Sequence, residues 1–211
     1  PISKKLNITM KLGKEVTTQE VLALKPYSIL VATGSNVISI PLEGLDQVQT
    51  VQAHDVLAND MQFANKKVVV IGGGITGLET ALYINRQGTN QVSVVDMLPE
   101  WPVDMLDMRY QNEALLEVRH CNDQGVALFY NNKVVKFADG KLFIESTKDG
   151  EVKELPADVI VLSVGVKPND ALWQELLASG HPSVWKAGDA IATGKINKAV
   201  LHGSKFGYSL N

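Results

Sequence analysis

A chain of 211 residues, 45% hydrophobic and 20% charged, can bury a core in one or two domains and has the make-up of an ordinary soluble globular protein. Its net charge of −3 gives no general attraction to nucleic acid or an anionic membrane surface, and apolar runs such as 68–71 and 159–164 fall far short of the roughly 20 residues that span a bilayer. A single cysteine, Cys121, excludes an internal disulfide, a CxxC pair and a cysteine-rich cluster, and His54, His120, His181 and His202 lack metal-ligand spacing.

No basic stretch followed by an apolar segment opens the chain, so a cytoplasmic location is expected. Pro1 stands mid-stream in a charged segment without an initiator Met, and the chain reads as a piece of something longer. Residues 5–16 alternate polar and apolar. The stretch 17–24 predicts a short helix with Thr18 near its cap, and 27–32 a buried strand that stops at Thr33-Gly34-Ser35. Turn residues (Pro41, Gly44, Asp46) lead to a short helix at 54–59, and 61–66 reads as a linker.

From Lys67 the pattern changes. The β-branched run 68–71 is that of a strand covered on both faces in a parallel sheet. Leu78, Ala81 and Leu82 fall at helical spacing, although polar Asn85 interrupts that face in its last turn, and Gln87-Gly88 closes the helix. A second buried strand at 92–95 completes a β–turn–α–β unit over 67–96, the first half of a doubly wound sheet. A helix at 106–122 and a strand at 126–130 follow. Three short strands near 132–137, 141–147 and 151–155 come next, with Asp139-Gly140 and Asp149-Gly150 at the reversals. Residues 159–164 form another buried strand. The tail predicts a helix at 170–177, a short strand at 183–186 and a last helix from about Asn197.

Gly72-Gly73-Gly74-Ile75-Thr76-Gly77 fits GxGxxG, between a buried strand and an amphipathic helix, and Asp96 closes the second strand where a ribose-binding acid is expected. Gly72 permits the tight turn. Gly74, lacking a Cβ, lets a pyrophosphate approach the amides at the helix start, and Gly77 lets the helix pack closely on the strand. Asp96 can accept from both ribose hydroxyls and would repel a 2′-phosphate. No arginine follows closely to bind that phosphate, Arg109 being well beyond, so the site reads as one for NAD(H).

Further segments carry a resemblance. They are Val31-Ala32-Thr33-Gly34-Ser35, Val164-Gly165-Val166-Lys167-Pro168-Asn169, Ala187-Gly188-Asp189-Ala190 and Lys195-Ile196-Asn197-Lys198-Ala199-Val200. In this order around GxGxxGxE they resemble the two-dinucleotide-fold flavoprotein reductases, the pyridine nucleotide-disulfide oxidoreductase superfamily, over about residues 15–211. Met97-Leu98-Pro99-Glu100 and Asp104-Met105 are similar to the C-terminal region of 2-enoate reductases and related NADH:flavin oxidoreductases.

The resemblance implies an α/β fold: a Rossmann-like NAD-binding domain, 67–164, with a three-stranded antiparallel meander, inserted into a partial FAD-binding domain made of 1–66 and 165–211. It implies that Thr33 and Gly34 lie near the domain crossover, that Gly188 and Asp189 face the flavin's ribityl and pyrophosphate portion, and that Gly165 borders NADH. Glu79 would lie near the nicotinamide. From the residues alone, Asp189 also reads as a turn residue and Glu79 as a solvated helix residue. Cys121 reads as a passive thiol, and Trp101, Trp173 and Trp185 as packing residues.

The sequence departs from that superfamily in two places. Val37 and Ile40 stand where prolines are usual, and no strand-plus-GxGxxG unit precedes residue 30 to grip an FAD pyrophosphate. The expected function is therefore the NADH-binding portion of a flavin-dependent oxidoreductase, with no catalytic residue and no metal ligand of its own. Its partners would be NADH and an upstream flavin domain, and the enoate-reductase branch implies an iron–sulfur cluster and FMN elsewhere in the parent enzyme. Two other readings stay open: a non-catalytic NAD- or ADP-binding module, and part of a disulfide or peroxide reductase of the same superfamily.

Overall fold

A computed structural model describes residues 6, 8–99 and 108–210. Two compact units are present, one formed by residues 37–165 and the other by 1–36 together with 166–211. Residues 37–66 and Gly165 fall in the same compact unit as 67–164. The reason is a strand that the sequence reading did not give.

In chain order the larger unit contains β3 (Gln49–Gln52), α2 (Ala53–Ala58), β4 (Lys67–Ile71), α3 (Ile75–Asn85), β5 (Gln91–Val95), α4 (Met108–Asp123), β6 (Ala127–Phe129), β7 (Asn132–Ala138), β8 (Lys141–Ser146), β9 (Val152–Pro156) and β10 (Val159–Leu162). Five of these strands form one parallel sheet in the order β3-β10-β4-β5-β6. β3 extends it beyond β10, with Gln49 opposite Val159 and Gln52 opposite Leu162, and this pairing ties residues 37–66 to the rest of the larger unit. The chain leaves β4 toward β5 on one side and returns as β10 on the other. The order reverses at β4, which makes its carboxyl end a topological switch point.

Alternate residues of the central strands feed two separate cores, as the period of two along a strand requires. Val68 and Val70, Val92 and Val94, and Val159 and Val161 pack with Leu78, Ala81, Leu82 and Ile84 of α3 and with Val118 and Cys121 of α4. Val69, Ile71, Val95, Ile160 and Leu162 face the other way and pack with Phe137, Leu142 and Ile144 of the β7-β8-β9 meander. Helices cover one face and an antiparallel sheet the other, which explains β-branched runs without polar alternation. Leu142 and Ile144 are fully buried, and truncating either to Ala would cost about 2–5 kcal/mol.

The predicted meander is present, with Lys141 opposite both Ala138 and Pro156. Asp139 (φ 52°) and Gly140 (φ 74°) both adopt left-handed backbone in the tight β7–β8 reversal, the conformation of a two-residue hairpin turn. Asn85, the polar break on α3, donates its side-chain amide to the Gln124 carbonyl at 3.0 Å, so the interrupted stripe is a helix-end tie. The predicted linker at 61–66 has no regular structure but is strapped down. Gln87 accepts from Phe63 N at 2.7 Å and donates to Met61 O at 3.0 Å, and Thr89 and Asn90 accept from Asn65 N and Lys66 N, each at 3.0 Å.

The smaller unit contains α1 (Thr18–Ala23), β1 (Ile29–Val31), β11 (Val166–Pro168), α5 (Ala171–Ala178), β12 (Val184–Lys186) and α6 (Ile196–Ser209). β1 and β12 pair in parallel, with Ile29 opposite Val184 and Val31 opposite Lys186. Ile29, Val31 and Leu176 form its buried core, with Val21, Leu22, Leu172, Trp173 and Val184 packed around them. The cap of α1 is Thr17, one residue before the expected Thr18: its hydroxyl accepts from Glu20 N while Glu20 accepts from Thr17 N, a reciprocal capping box. β2 (Ser35–Val37) pairs with β11. Glu100, Trp101, Asp104 and Met105 lie outside the described residues. No helix of the described residues is long and apolar enough to cross a membrane.

Candidate functional site

The glycine turn follows β4 at the switch point and is held from both sides. Gly72 N donates to Val95 O at 2.8 Å, and Ser163 N donates to Ile71 O at 2.8 Å, so the ladders to β5 and β10 run right up to the turn. Gly72 has φ 112°, and a Cβ there would overlap the Ser163 carbonyl; only glycine fits both demands. A Cβ on Gly77 would overlap the Gly72 carbonyl oxygen and stand 3.3 Å from Ser163 Oγ, so its absence sets how closely α3 approaches the turn. Gly74 differs from both: a Cβ there would meet nothing within 4 Å.

Gly74 is also the N-cap of α3. No side chain caps that end and its first turn holds no acidic residue, so the helix presents its first amides and positive dipole end to whatever lies in front. Asp96 stands beside it. Its Oδ2 accepts from Gly73 N at 2.5 Å and its Oδ1 from Leu98 N at 2.8 Å, which fixes the carboxylate while leaving each oxygen capacity for a further donor.

In front of these groups is a crevice of about 470 Å³, lined by Gly72, Gly74 and Asp96 together with Ile40, Ile71, Val95, Met97, Leu98, Asn132, Lys133, Val134, Ser163 and Val164. It is concave and mostly apolar, with a few polar side chains (Asp96, Asn132, Lys133 and Ser163) in its lining, as nucleotide and cofactor sites are. A dinucleotide fits this donor set: the uncapped helix start can meet a pyrophosphate and Asp96 can accept from ribose hydroxyls.

Of the residues singled out by sequence, Gly72, Gly74 and Asp96 line the crevice together, whereas Gly73 and Gly77 shape the turn behind it. Ile75, Thr76, Glu79 and Gly165 do not line it. Glu79 is exposed on α3, and Gly165, at φ 93°, accepts from Ile38 N at 3.1 Å. The sequence reading missed Asn132, Lys133, Ser163 and Val164 as lining residues. The available signal was that both segments directly follow a strand of the parallel sheet or open the next one, where ligand loops gather.

The smaller unit has its own cavity of about 460 Å³, which brings together Gly34, Gly188 and Asp189 with Ala32, Lys195 and Ile196 at the start of α6. Asp189 accepts from Gly194 N at 3.1 Å, and Gly188 N donates to His202 Nδ1 at 3.2 Å. Thr33 is not among its lining residues; its hydroxyl donates to Asn169 O at 2.5 Å.

Cys121 is fully buried, and that burial, with the nearby Glu117 carboxylate second, pushes its thiol up to about 11. A thiol so placed is neutral and shielded, the opposite of an activated nucleophile. Trp173 packs in the smaller core with Lys186 Nζ 4.0 Å from its ring centre, while Trp185 is partly exposed and meets Phe206 edge-on.

Comparison with known proteins agrees with this geometry. The chain is 29% identical over 211 residues to an NADH oxidase of Thermoanaerobacter brockii, a match covering 96% of this chain and 31% of that protein. It is 29% identical over 182 residues to a cinnamate reductase of Clostridium sporogenes, covering 83% of this chain and 25% of that one. The chain thus spans between a quarter and a third of the length of these two relatives. Among solved structures it superimposes on a 2-naphthoyl-CoA reductase with a TM-score of 0.81 and 26% identity, over 97% of this chain and 30% of that one. The family profile described as pyridine nucleotide-disulphide oxidoreductase matches residues 3–203, and the chain belongs to that family of flavin-dependent pyridine nucleotide oxidoreductases.

Proposed function

We propose that this chain is the NADH-holding portion of a larger flavin-dependent oxidoreductase, serving the reduction of an activated C=C bond elsewhere in the parent enzyme. The observation that carries the reading is the crevice at the switch point, where the uncapped start of α3 and Asp96 face one volume. When bound, NADH supplies a hydride and FAD accepts it. The chain's own residues bind and orient. Gly72 and Gly77 shape the turn, the α3 amides next to Gly74 meet the pyrophosphate, and Asp96, already fixed by two backbone N–H groups, takes the ribose hydroxyls.

In this reading residues 37–165 are the NAD(H)-binding domain, and 1–36 with 166–211 are the part of an FAD domain in which Gly34, Gly188 and Asp189 border the flavin. The relatives support the assignment: one is an NADH oxidase, and another acts on cinnamate, whose C=C bond is conjugated to a carboxylate.

Calorimetric titration of the chain with NADH, NADPH and ADP tests the proposal. NADH should bind more tightly than ADP. It should exceed NADPH by about ten- to a hundredfold, since a hydrogen bond to a charged group contributes roughly 1.5–3 kcal/mol. ADP binding equal to NADH would mark a module that holds only the adenosine end, and no binding would show that the crevice is not a nucleotide site.

A further inference from the structure

Asp96 and Lys133 are the only ionisable side chains among the described residues lining the crevice, and they have opposite signs. Lys133 follows Asn132, whose N donates to Asp96 O at 2.9 Å, so a free lysine here would attract a 2′-phosphate and work against the repulsion from Asp96. Lys133 is not free. Its Nζ lies 2.9 Å from Glu145 Oε1. The pairing is built into the fold, because Lys133 on β7 and Glu145 on β8 are direct cross-strand partners in the antiparallel meander. The register shift between Val134 and Lys136 follows immediately, so the strand cannot slide by a residue without losing both the bulge and the buried positions Phe137 and Leu142.

We propose that the Lys133–Glu145 pair is a second selector for the nucleotide in this crevice: Glu145 neutralises and holds the lysine that would otherwise receive a 2′-phosphate, leaving Asp96 to set the choice. The proposal rests on the NADH reading above and adds to it a specificity-determining residue, Glu145, that itself does not line the crevice. An incoming phosphate must compete with a carboxylate already fixed on the adjacent strand, whereas a 2′-hydroxyl has no such competitor.

The test is a set of calorimetric titrations of the whole chain with NADH and NADPH. It compares the unmutated protein, Glu145→Gln, and Glu145→Gln combined with Lys133→Gln. Both positions are half-exposed, and circular dichroism would verify that each variant folds. Glu145→Gln should raise the NADPH-to-NADH affinity ratio about three- to fivefold, the upper reach of an exposed charge pair. The gain should disappear when Lys133 is also replaced. An unchanged ratio in Glu145→Gln, with NADH still bound, overturns this inference and leaves the NADH reading standing. A gain that persists without Lys133 overturns it too, because Glu145 would then act by repulsion alone. Failure of the unmutated chain to bind NADH overturns the underlying reading and this inference with it.

Discussion

Gly77→Ala is the smallest change that asks whether α3 must sit as close to the glycine turn as it does. The added methyl would overlap the Gly72 carbonyl oxygen, come within 3.1 Å of its carbon and stand 3.3 Å from Ser163 Oγ. Ordinary contacts between such atoms begin near 3.5 Å, so the helix has to retreat by about 1.5 Å or the turn has to open. Neither move is free. Gly72 N is tied to Val95 O and Ser163 N to Ile71 O, while Leu78, next to Gly77, is fully buried in the helix-side core. Overpacking of this kind costs about 1–3 kcal/mol, equivalent to roughly 2–12 °C in melting temperature for a chain of this size. The same retreat shifts the α3 amides away from a bound pyrophosphate, so NADH affinity should fall along with stability. Thermal melts by circular dichroism and NADH titration on the same sample check both effects. A variant with unchanged melting temperature and unchanged affinity would refute the close-packing argument.

Gly74→Val should separate the two effects, since its side chain projects into open space at the crevice. The melt should move little while NADH affinity drops at least about tenfold, or ~1.4 kcal/mol. Cys121, buried and with its thiol pushed up to about 11, should resist thiol reagents at pH 8 in the folded chain and react on unfolding, which a timed labelling experiment with and without denaturant would show. The hydrogen bond from Lys186 holds the Asp170 carboxyl below its ordinary value, with Gln174 adding to the effect. Its stabilisation is therefore complete above the ordinary carboxylate value and is lost as the pH falls through the lowered one, so the melting difference between the unmutated chain and Asp170→Asn should be present at neutral pH and vanish in acid. Purified alone, the chain should be colourless, because the one glycine turn leading from a buried strand into a helix among the described residues is the one assigned to NADH. A visible absorbance scan before and after adding FAD checks this, and a stoichiometric flavin band would refute it.

The parts of the fold legible in the sequence are those where one local cause decides. The run 68–71 can only be a strand buried on both faces, and Asp139-Gly140 supplies the two left-handed residues of a tight hairpin. β3 was not legible for the opposite reason. Gln49-Thr50-Val51-Gln52 has one strongly apolar residue and is an edge strand, specified by the β10 backbone beside it and not by its own hydrophobicity. Its pairing with β10 places residues 37–66 in the same compact unit as the sheet. The segment 61–66 is irregular as read, and what holds it, the side chains of Gln87, Thr89 and Asn90, lies more than twenty positions away.

The candidate site divides along the same line. Residues that bend the backbone are contiguous, and Gly72, Gly74 and Gly77 could be read in one motif because each answers a steric demand of its own turn. Residues that line the crevice come from the ends of β5 and β10 and the start of β7, and only the strand order brings Asp96, Lys133 and Ser163 to one place. The proposed second selector sits one step further out. Glu145 does not line the crevice and sits in no motif, yet cross-strand register sets it against Lys133. In such a fold the glycine turn and the acid Asp96 can be read from the sequence, while the Lys133–Glu145 pairing exists only once the meander has formed.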